Sequence, residues 1–505
     1  MDIKNKLKSF PVFVLGAALL LTGCVAVTSP SLNNTVTVQQ YTPSKLVADN
    51  EIIRQSGLKT QDIGYLVLDV QTGEIKTSKN KNKSFIPAST LKTMTALAAL
   101  DILGADFRFK TEIFGVGEIK NDILLGDLYL VGGGDAMLSI KDLYAMAVMI
   151  KDLGIKKITG RFVVDDVLFK PRSEINVNQP GDAVYNTAVN ALSFDFNRRL
   201  LSWRRGGKGN VYQAWMTPKI KTEALKINNK MAMGLFLKPT SAGSNGWIAS
   251  TMTLNNVGEK MLPVKNPSQW TAETFKQVAE NIGIKLPHPV KGAKPVTART
   301  LATVQSPVLF QLIKPWLRYS NNLMAELIGL KAGQRFKNKK PNSTILKPWL
   351  KKKLANVDWS TFNGENYSGL STTSRITPTQ MASVLKTAWN WRFTVENQKQ
   401  SFLSLLPVSG FQGSFQGRFK NPVSAGKILA KTGTMDYSSG IAGYVFTKKG
   451  RQLVFALNIT DYDKRKKYDA LSAAGKRKQS VQAHDWRGRA KRFEENLITN
   501  WIKRY

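Results

Sequence analysis

Strand-forming sequence lies at both ends of this chain, and that restricts its fold more than any other feature. Gly64–Val70 is a β-branched, aromatic and aliphatic run, followed by the turn signal Gln71-Thr72-Gly73 and a second short strand. Far down the chain, Gly440–Thr447 and Gln452–Ile459 flank Lys448-Lys449-Gly450, which predicts another hairpin. One antiparallel sheet built from both pairs has to be closed by the N- and C-terminal segments together. In Ala490–Tyr505 the apolar residues Phe493, Leu497, Ile498 and Trp501 fall at helical spacing, so an amphipathic helix is expected to close that sheet. The middle of the chain, residues 104–300, has strand and turn signals of its own. The expected class is α+β: an antiparallel sheet with flanking helices, formed from residues 51–103 and 301–505 and interrupted by a large, mainly β inserted region. There is no internal repeat and no long low-complexity segment.

Composition limits the chemistry. The 505 residues include one Cys and two His. A disulfide framework, a Cys-rich zinc site and iron–sulfur ligation are excluded, and a His-based triad has almost nothing to draw on. His288 lies between two prolines and His484 in a basic segment, so both are expected at the surface. Catalysis is left to hydroxyls, lysines, carboxylates and backbone donors. Gly132-Gly133-Gly134-Asp135 is read as a tight turn, because no Lys-Ser/Thr follows it to make a phosphate loop. The 73 Lys and Arg against 35 Asp and Glu leave a net charge of +38, a field that attracts anionic surfaces of any kind. Two stretches concentrate it: Lys331–Val357 holds nine basic residues and no acid, and Asp461–Tyr505 thirteen against six. The first is close in sequence to a candidate site and could steer an anionic polymer toward it.

The N-terminus supplies an address. A basic segment, Met1–Lys8, precedes the 12-residue apolar run Phe10–Leu21. That run is shorter than the ~20 residues a spanning helix needs and has the length of a signal-peptide core. It ends in Leu21-Thr22-Gly23-Cys24, which resembles a bacterial lipobox. The resemblance implies a signal peptide over 1–23, acylation of Cys24 as the mature N-terminus, and a lipid-borne tether over 24–50. It also implies a location facing the bacterial periplasm, with Val25 after the cysteine pointing to the outer membrane. An exported chain has little access to nucleic acid, which is therefore not an expected partner.

Three short motifs carry the chemistry. Pro87-Ala88-Ser89-Thr90-Leu91-Lys92 opens an apolar helical run that stops at Gly104, so Ser89 and Lys92 stack one turn apart. A serine hydroxyl is a poor nucleophile until a base takes its proton, and a lysine can be that base when burial or a second cation lowers its pKa. Ser320-Asn321-Asn322 precedes the helical stretch Leu323–Ile328 and can direct a hydroxyl and a carboxamide into one cleft, although a loop capping its own helix explains it equally well. Lys431-Thr432-Gly433-Thr434 would give an edge strand a cation, two hydroxyls and a glycine that admits a substrate backbone.

In this order, Ser89-x-x-Lys92, Ser320-x-Asn322 and Lys431-Thr432-Gly433 resemble the signature of penicillin-binding proteins and serine β-lactamases. The spacings of 231 and 111 residues match the class C low-molecular-mass penicillin-binding proteins, the D-alanyl-D-alanine carboxypeptidase/endopeptidase family, which carry large insertions between the first two motifs. Gly126–Asp135, Gly154–Asp166, Ser368–Ser371 and Gly410–Arg418 are similar to family segments. One departure is visible: the family usually reads Asp-Gly before Ser-Gly-Leu-Ser, and here Asn366-Tyr367 stand in their place.

The resemblance implies a serine transpeptidase/β-lactamase-like fold and hydrolysis of peptidoglycan stem peptides through an acyl-enzyme on Ser89, without cofactor or metal. Lys92 would be the base. Ser320, assisted by Lys431, would pass a proton to the leaving amine, with Asn322 binding a substrate amide. Thr432, Gly433 and Thr434 would meet the substrate, the two threonines and the Lys431 charge holding its terminal carboxylate. The N–H groups of Ser89 and Thr434 would form the oxyanion hole. Asp165 is the candidate partner for an amine on the substrate side chain. Muropeptides are the expected substrates, β-lactams the acylating inhibitors, and the membrane a partner through the lipid. Two alternatives stay open: a β-lactamase on the same scaffold, and a catalytically idle lipoprotein that uses its basic faces to hold the envelope.

Overall fold

The computed structural model describes residues 46–205, 212–217, 225–228, 238–239, 247–250, 257–337 and 344–505. The expected signal peptide, Cys24 and the tether through residue 45 lie outside these residues, as do 338–343 of the first basic stretch.

The central sheet has five antiparallel strands in the order Ile428–Met435, Ser438–Phe446, Gln452–Thr460, Ile63–Asp69, Ile75–Lys79. Both expected hairpins are present and the two chain ends meet within one sheet. Ile63–Asp69 is buried along its whole length, which explains why it reads as a continuous apolar run. Leu66 and Leu68 join a core with Met94 and Leu97 of the helix Lys92–Leu103. Tyr65 and Val67 point the other way, into a second core with Leu497 and Trp501. The sheet is therefore sandwiched between helical layers.

The C-terminal helix runs from Ser480 to Arg504, starting before the predicted Ala490. Ala483 and Trp486 continue the buried stripe of Ala490, Phe493, Leu497 and Trp501, so the extra turns bury apolar surface as well. Asp49 and Asn50, the last two residues of the stretch expected as a tether, are helical. A helix spans Asp49–Ser56, and the buried Asp49 carboxylate accepts from Thr77 Oγ1 at 3.0 Å and Trp501 Nε1 at 3.2 Å. A polar composition concealed this anchoring hub.

Between the two halves of the central sheet, a second five-stranded sheet takes all its strands from Lys110 to Gln305, in the order Pro289–Lys291, Phe162–Asp165, Leu128–Gly132, Lys110–Gly115, Arg299–Gln305. Its last strand continues past residue 300. The helices Ile140–Asp152 and Pro267–Asn281 supply Leu143, Met146, Trp270 and Phe275 to its own core.

Helix Pro378–Ala388 covers the helical face of the central sheet, where Tyr444 Oη donates to the Leu385 carbonyl at 2.7 Å. A reciprocal cap starts it: Thr377 Oγ1 accepts from Gln380 N at 3.1 Å and Gln380 Oε1 from Thr377 N at 3.0 Å. Thr377→Ala should cost about 1 kcal/mol. The urea midpoint would fall with an unchanged slope, whereas an unmoved midpoint would refute the cap's contribution.

Part of the basic stretch that begins at Lys331 is anchored on the helix Lys92–Leu103. Lys353 pairs with Asp101 at 2.8 Å, and Trp349 Nε1 donates to the same carboxylate at 2.9 Å. Asp101 is near the C-terminal end of the helix whose first residue is Lys92, about 13 Å along its axis.

Candidate active site

Ser89 sits in a 3₁₀ turn, Ala88–Leu91, that runs directly into the helix beginning at Lys92. In a 3₁₀ turn residues i and i+3 eclipse, which brings the two side chains closer together than an α-helical turn would. Lys92 Nζ lies 2.8 Å from Ser89 Oγ, 2.6 Å from Asn322 Oδ1 and 2.6 Å from the Ser368 carbonyl. The Lys92 side chain is fully buried. Burial, and next the nearby Lys431, hold its amine well below the usual lysine value, while Glu326 acts in the opposite sense.

The second motif is split between two helices. Ser320 ends the helix Leu309–Tyr319 in the left-handed conformation (φ 57°), and Asn322 begins the helix Asn322–Lys337. Capping falls to Asn321, whose Oδ1 accepts from Met324 N at 3.1 Å, and this leaves the Asn322 amide for Lys92 and, through Nδ2, the Tyr185 carbonyl at 2.9 Å.

The third motif lies on the edge strand Ile428–Met435, as expected. It runs so close to the nucleophile that a Cβ on Gly433 would stand 2.8 Å from Ser89 N and 2.7 Å from the Pro87 carbonyl. Lys431 is buried and donates to the Thr432 carbonyl at 2.7 Å, and burial pushes its amine down to about 7. Ser320 is not among its hydrogen-bond partners. Thr432 Oγ1 meets Ser414 Oγ at 2.6 Å, and Thr434 is exposed on the strand.

A cavity of about 340 Å³ opens over this arrangement, lined by Ser89, Ser320, Asn322, Gly369 and Thr434, with Tyr185, Asp436, Arg465 and Arg487 among its other walls. The two lysines lie behind it.

Asp165 is not among the residues that line this cavity. Its carboxylate accepts from Val167 N at 3.2 Å and Lys294 N at 2.8 Å, so it caps turns at the end of a strand in the inserted sheet. The carboxylate that does line the cavity belongs to Asp436, which pairs with Arg487. Sequence reasoning also missed Ser414, the Ser368 carbonyl and Glu326. For Glu326 a signal existed: it is the single charge within Leu323–Leu330.

The profile of the D-Ala-D-Ala carboxypeptidase 3 (S13) family matches residues 47–479. The chain belongs to that family. It is 27% identical over 439 residues to the D-alanyl-D-alanine carboxypeptidase of Actinomadura sp. (strain R39), covering 80% of this chain and 79% of that one. It is 25% identical over 469 residues to D-alanyl-D-alanine carboxypeptidase DacB of Haemophilus influenzae, at 88% and 91% coverage. The crystal structure of penicillin binding protein 4 (dacB) from H. influenzae superposes with a TM-score of 0.75 at 20% identity, over 90% of this chain and all of that one.

In this S13 chain the Asn366-Tyr367 departure is accommodated locally. Asn366 Oδ1 accepts from Gly369 N at 2.8 Å, as an aspartate could, and the buried Tyr367 ring fills the space over Gly329, where a Cβ would stand 2.2 Å from Tyr367 Cγ.

Proposed function

We propose that this S13 carboxypeptidase hydrolyses D-alanyl-D-alanine ends of peptidoglycan stem peptides, and D,D-crosslinks of the same chemistry, through an acyl-enzyme on Ser89. The observation that carries the reading is the buried amine of Lys92, 2.8 Å from the Ser89 hydroxyl and held well below the usual lysine value by burial and the nearby Lys431. That amine takes the Ser89 proton as Oγ bonds to the carbonyl carbon. The N–H groups of Ser89 and Thr434 receive the oxyanion, donors that typically contribute about 3 kcal/mol each. The C–N bond then breaks, Ser320 passes a proton to the departing amine, and water later splits the ester. Asn322 takes a substrate amide. Thr432, Gly433 and Thr434 present a strand edge to the substrate, with the Lys431 charge behind them for its carboxylate.

A β-lactam closes the same ester on Ser89. In support, penicillin binding protein 4 from H. influenzae has been crystallised with a β-lactam on the same fold, with a TM-score of 0.72. The domain division proposed is 51–103 with 301–505 for the catalytic part and 104–300 for the insertion. Cys24 would carry the lipid that holds the enzyme in the periplasm, at the outer membrane. Partition of the protein into detergent, lost in Cys24→Ser, tests that part.

The catalytic reading is tested by mass spectrometry of the wild-type protein and its products. A penicillin-sized increment on the peptide bearing Ser89, and muropeptides shortened by one alanine or split at crosslinks, are expected. Absence of both would overturn it, and rapid loss of the adduct would move the assignment to a β-lactamase.

A further inference from the structure

Glu326 is 1% exposed, yet its carboxylate joins three segments that are far apart in the chain. Oε1 accepts the N–H of Ser368 at 2.8 Å, and Oε2 pairs with Arg172 Nη2 of the inserted region at 2.9 Å. The carbonyl of the same Ser368 accepts from Lys92 Nζ. Two more hydrogen bonds cross between the inserted region and the site in the same place: Asn322 Nδ2 to the Tyr185 carbonyl at 2.9 Å and Asn176 Nδ2 to the Leu370 carbonyl at 2.7 Å. A buried ion pair is a poor route to stability, because apolar residues of equal volume serve as well or better. A charge placed here therefore needs another reason.

We infer that Glu326 is a positioning residue for Lys92: it fixes the Ser368 carbonyl on the amine and sets one negative charge behind the base, with Arg172 governing how much of that charge Lys92 feels. The inserted region thereby takes part in the chemistry. This rests on Lys92 being the base, as proposed above.

The charged and titratable groups facing Lys92 are Lys431 on the edge strand and Glu326 on the Asn322 helix; those facing Glu326 are Arg172 and the Tyr367 phenol. Burial and Lys431 disfavour the protonated amine, and Glu326 offsets part of that. The offset has a use, since a base works best when its affinity for the proton is matched to the working pH.

The test is the rate of Ser89 acylation by a fluorescent penicillin as a function of pH, in the wild type, Glu326→Gln and Arg172→Met. Acylation requires the neutral amine, so the rate rises as pH climbs through its pKa. Glu326→Gln keeps the volume and an oxygen for Ser368 N but removes the charge. The rise should move to lower pH, and the plateau should fall about tenfold because the base is weaker. Arg172→Met leaves the carboxylate unopposed, and the rise should move to higher pH. Opposite displacements are expected. Rates lowered with the rise unmoved in both variants, or rates unchanged, overturn the inference. If Glu326→Gln fails to fold, the direction in Arg172→Met, altered at a half-buried side chain, still decides it. If the wild type itself forms no adduct, the catalytic reading has failed instead.

Discussion

With Lys92 replaced by methionine, acylation of Ser89 by penicillin should slow by about 10²–10⁴-fold, the range that a general base contributes. The methionine is of similar length and can fill the same buried slot beside Asn322, so the defect should lie in chemistry and leave the fold intact. The variant loses three hydrogen bonds, to Ser89 Oγ, Asn322 Oδ1 and the Ser368 carbonyl, and it also removes the cost of burying an amine. These oppose one another, and a thermal midpoint close to wild type is expected. The wild-type kcat/KM on a peptide should be bell-shaped in pH. The acidic limb belongs to Lys92, which must be neutral to act. The alkaline limb belongs to Lys431, which burial holds at about 7 and which must be charged to attract the substrate carboxylate. Lys92→Met should erase the acidic limb along with the rate. An acylation rate within a few-fold of wild type would remove Lys92 from the role of base.

How far the sequence disclosed this site depends on how local each interaction is. The two hairpins, the edge position of Lys431-Thr432-Gly433 and the stacking of Ser89 on Lys92 follow from period and turn chemistry, and all were legible. What the inserted region contributes was not. Arg172, Asn176 and Tyr185 reach the catalytic loops from a segment with no motif, and two of the contacts pass through backbone carbonyls that no side-chain pattern can reveal. Asp165 could not be placed from sequence, because a lone aspartate looks the same in a cleft as in a turn. Only the Lys294 and Val167 amides show which it is. The Tyr367 substitution looked like a local risk because its compensation, the missing Cβ of Gly329, lies on another element. Glu326 stands between these cases, visible as a charge in an apolar helix but unreadable without its partners.

The second large effect is expected at Gly369, where backbone meets backbone beside the nucleophile. Its φ is +73°, and a Cβ there would stand 1.9 Å from the carbonyl oxygen of Ala88. Ala88 is itself held at φ +45°, immediately before Ser89. Neither side can yield cheaply: the Asn366 carboxamide fixes Gly369 N, and Ser368, the residue before it, positions Lys92. Gly369→Ala must therefore displace either the turn carrying Ser89 or the loop that orients its base. Misplacement by about 1 Å can cost a reaction roughly 10²-fold, and a loss of acylation of at least that size is expected. The left-handed backbone adds about 1–2 kcal/mol of instability. Gly57→Ala separates the two terms, because Gly57 shares the positive φ (+66°) but has nothing within 4 Å of the added Cβ. It should lose comparable backbone stability and keep the wild-type acylation rate. Equal rates in the two variants would mean that the contact between Gly369 and Ala88 does not hold the nucleophile in place.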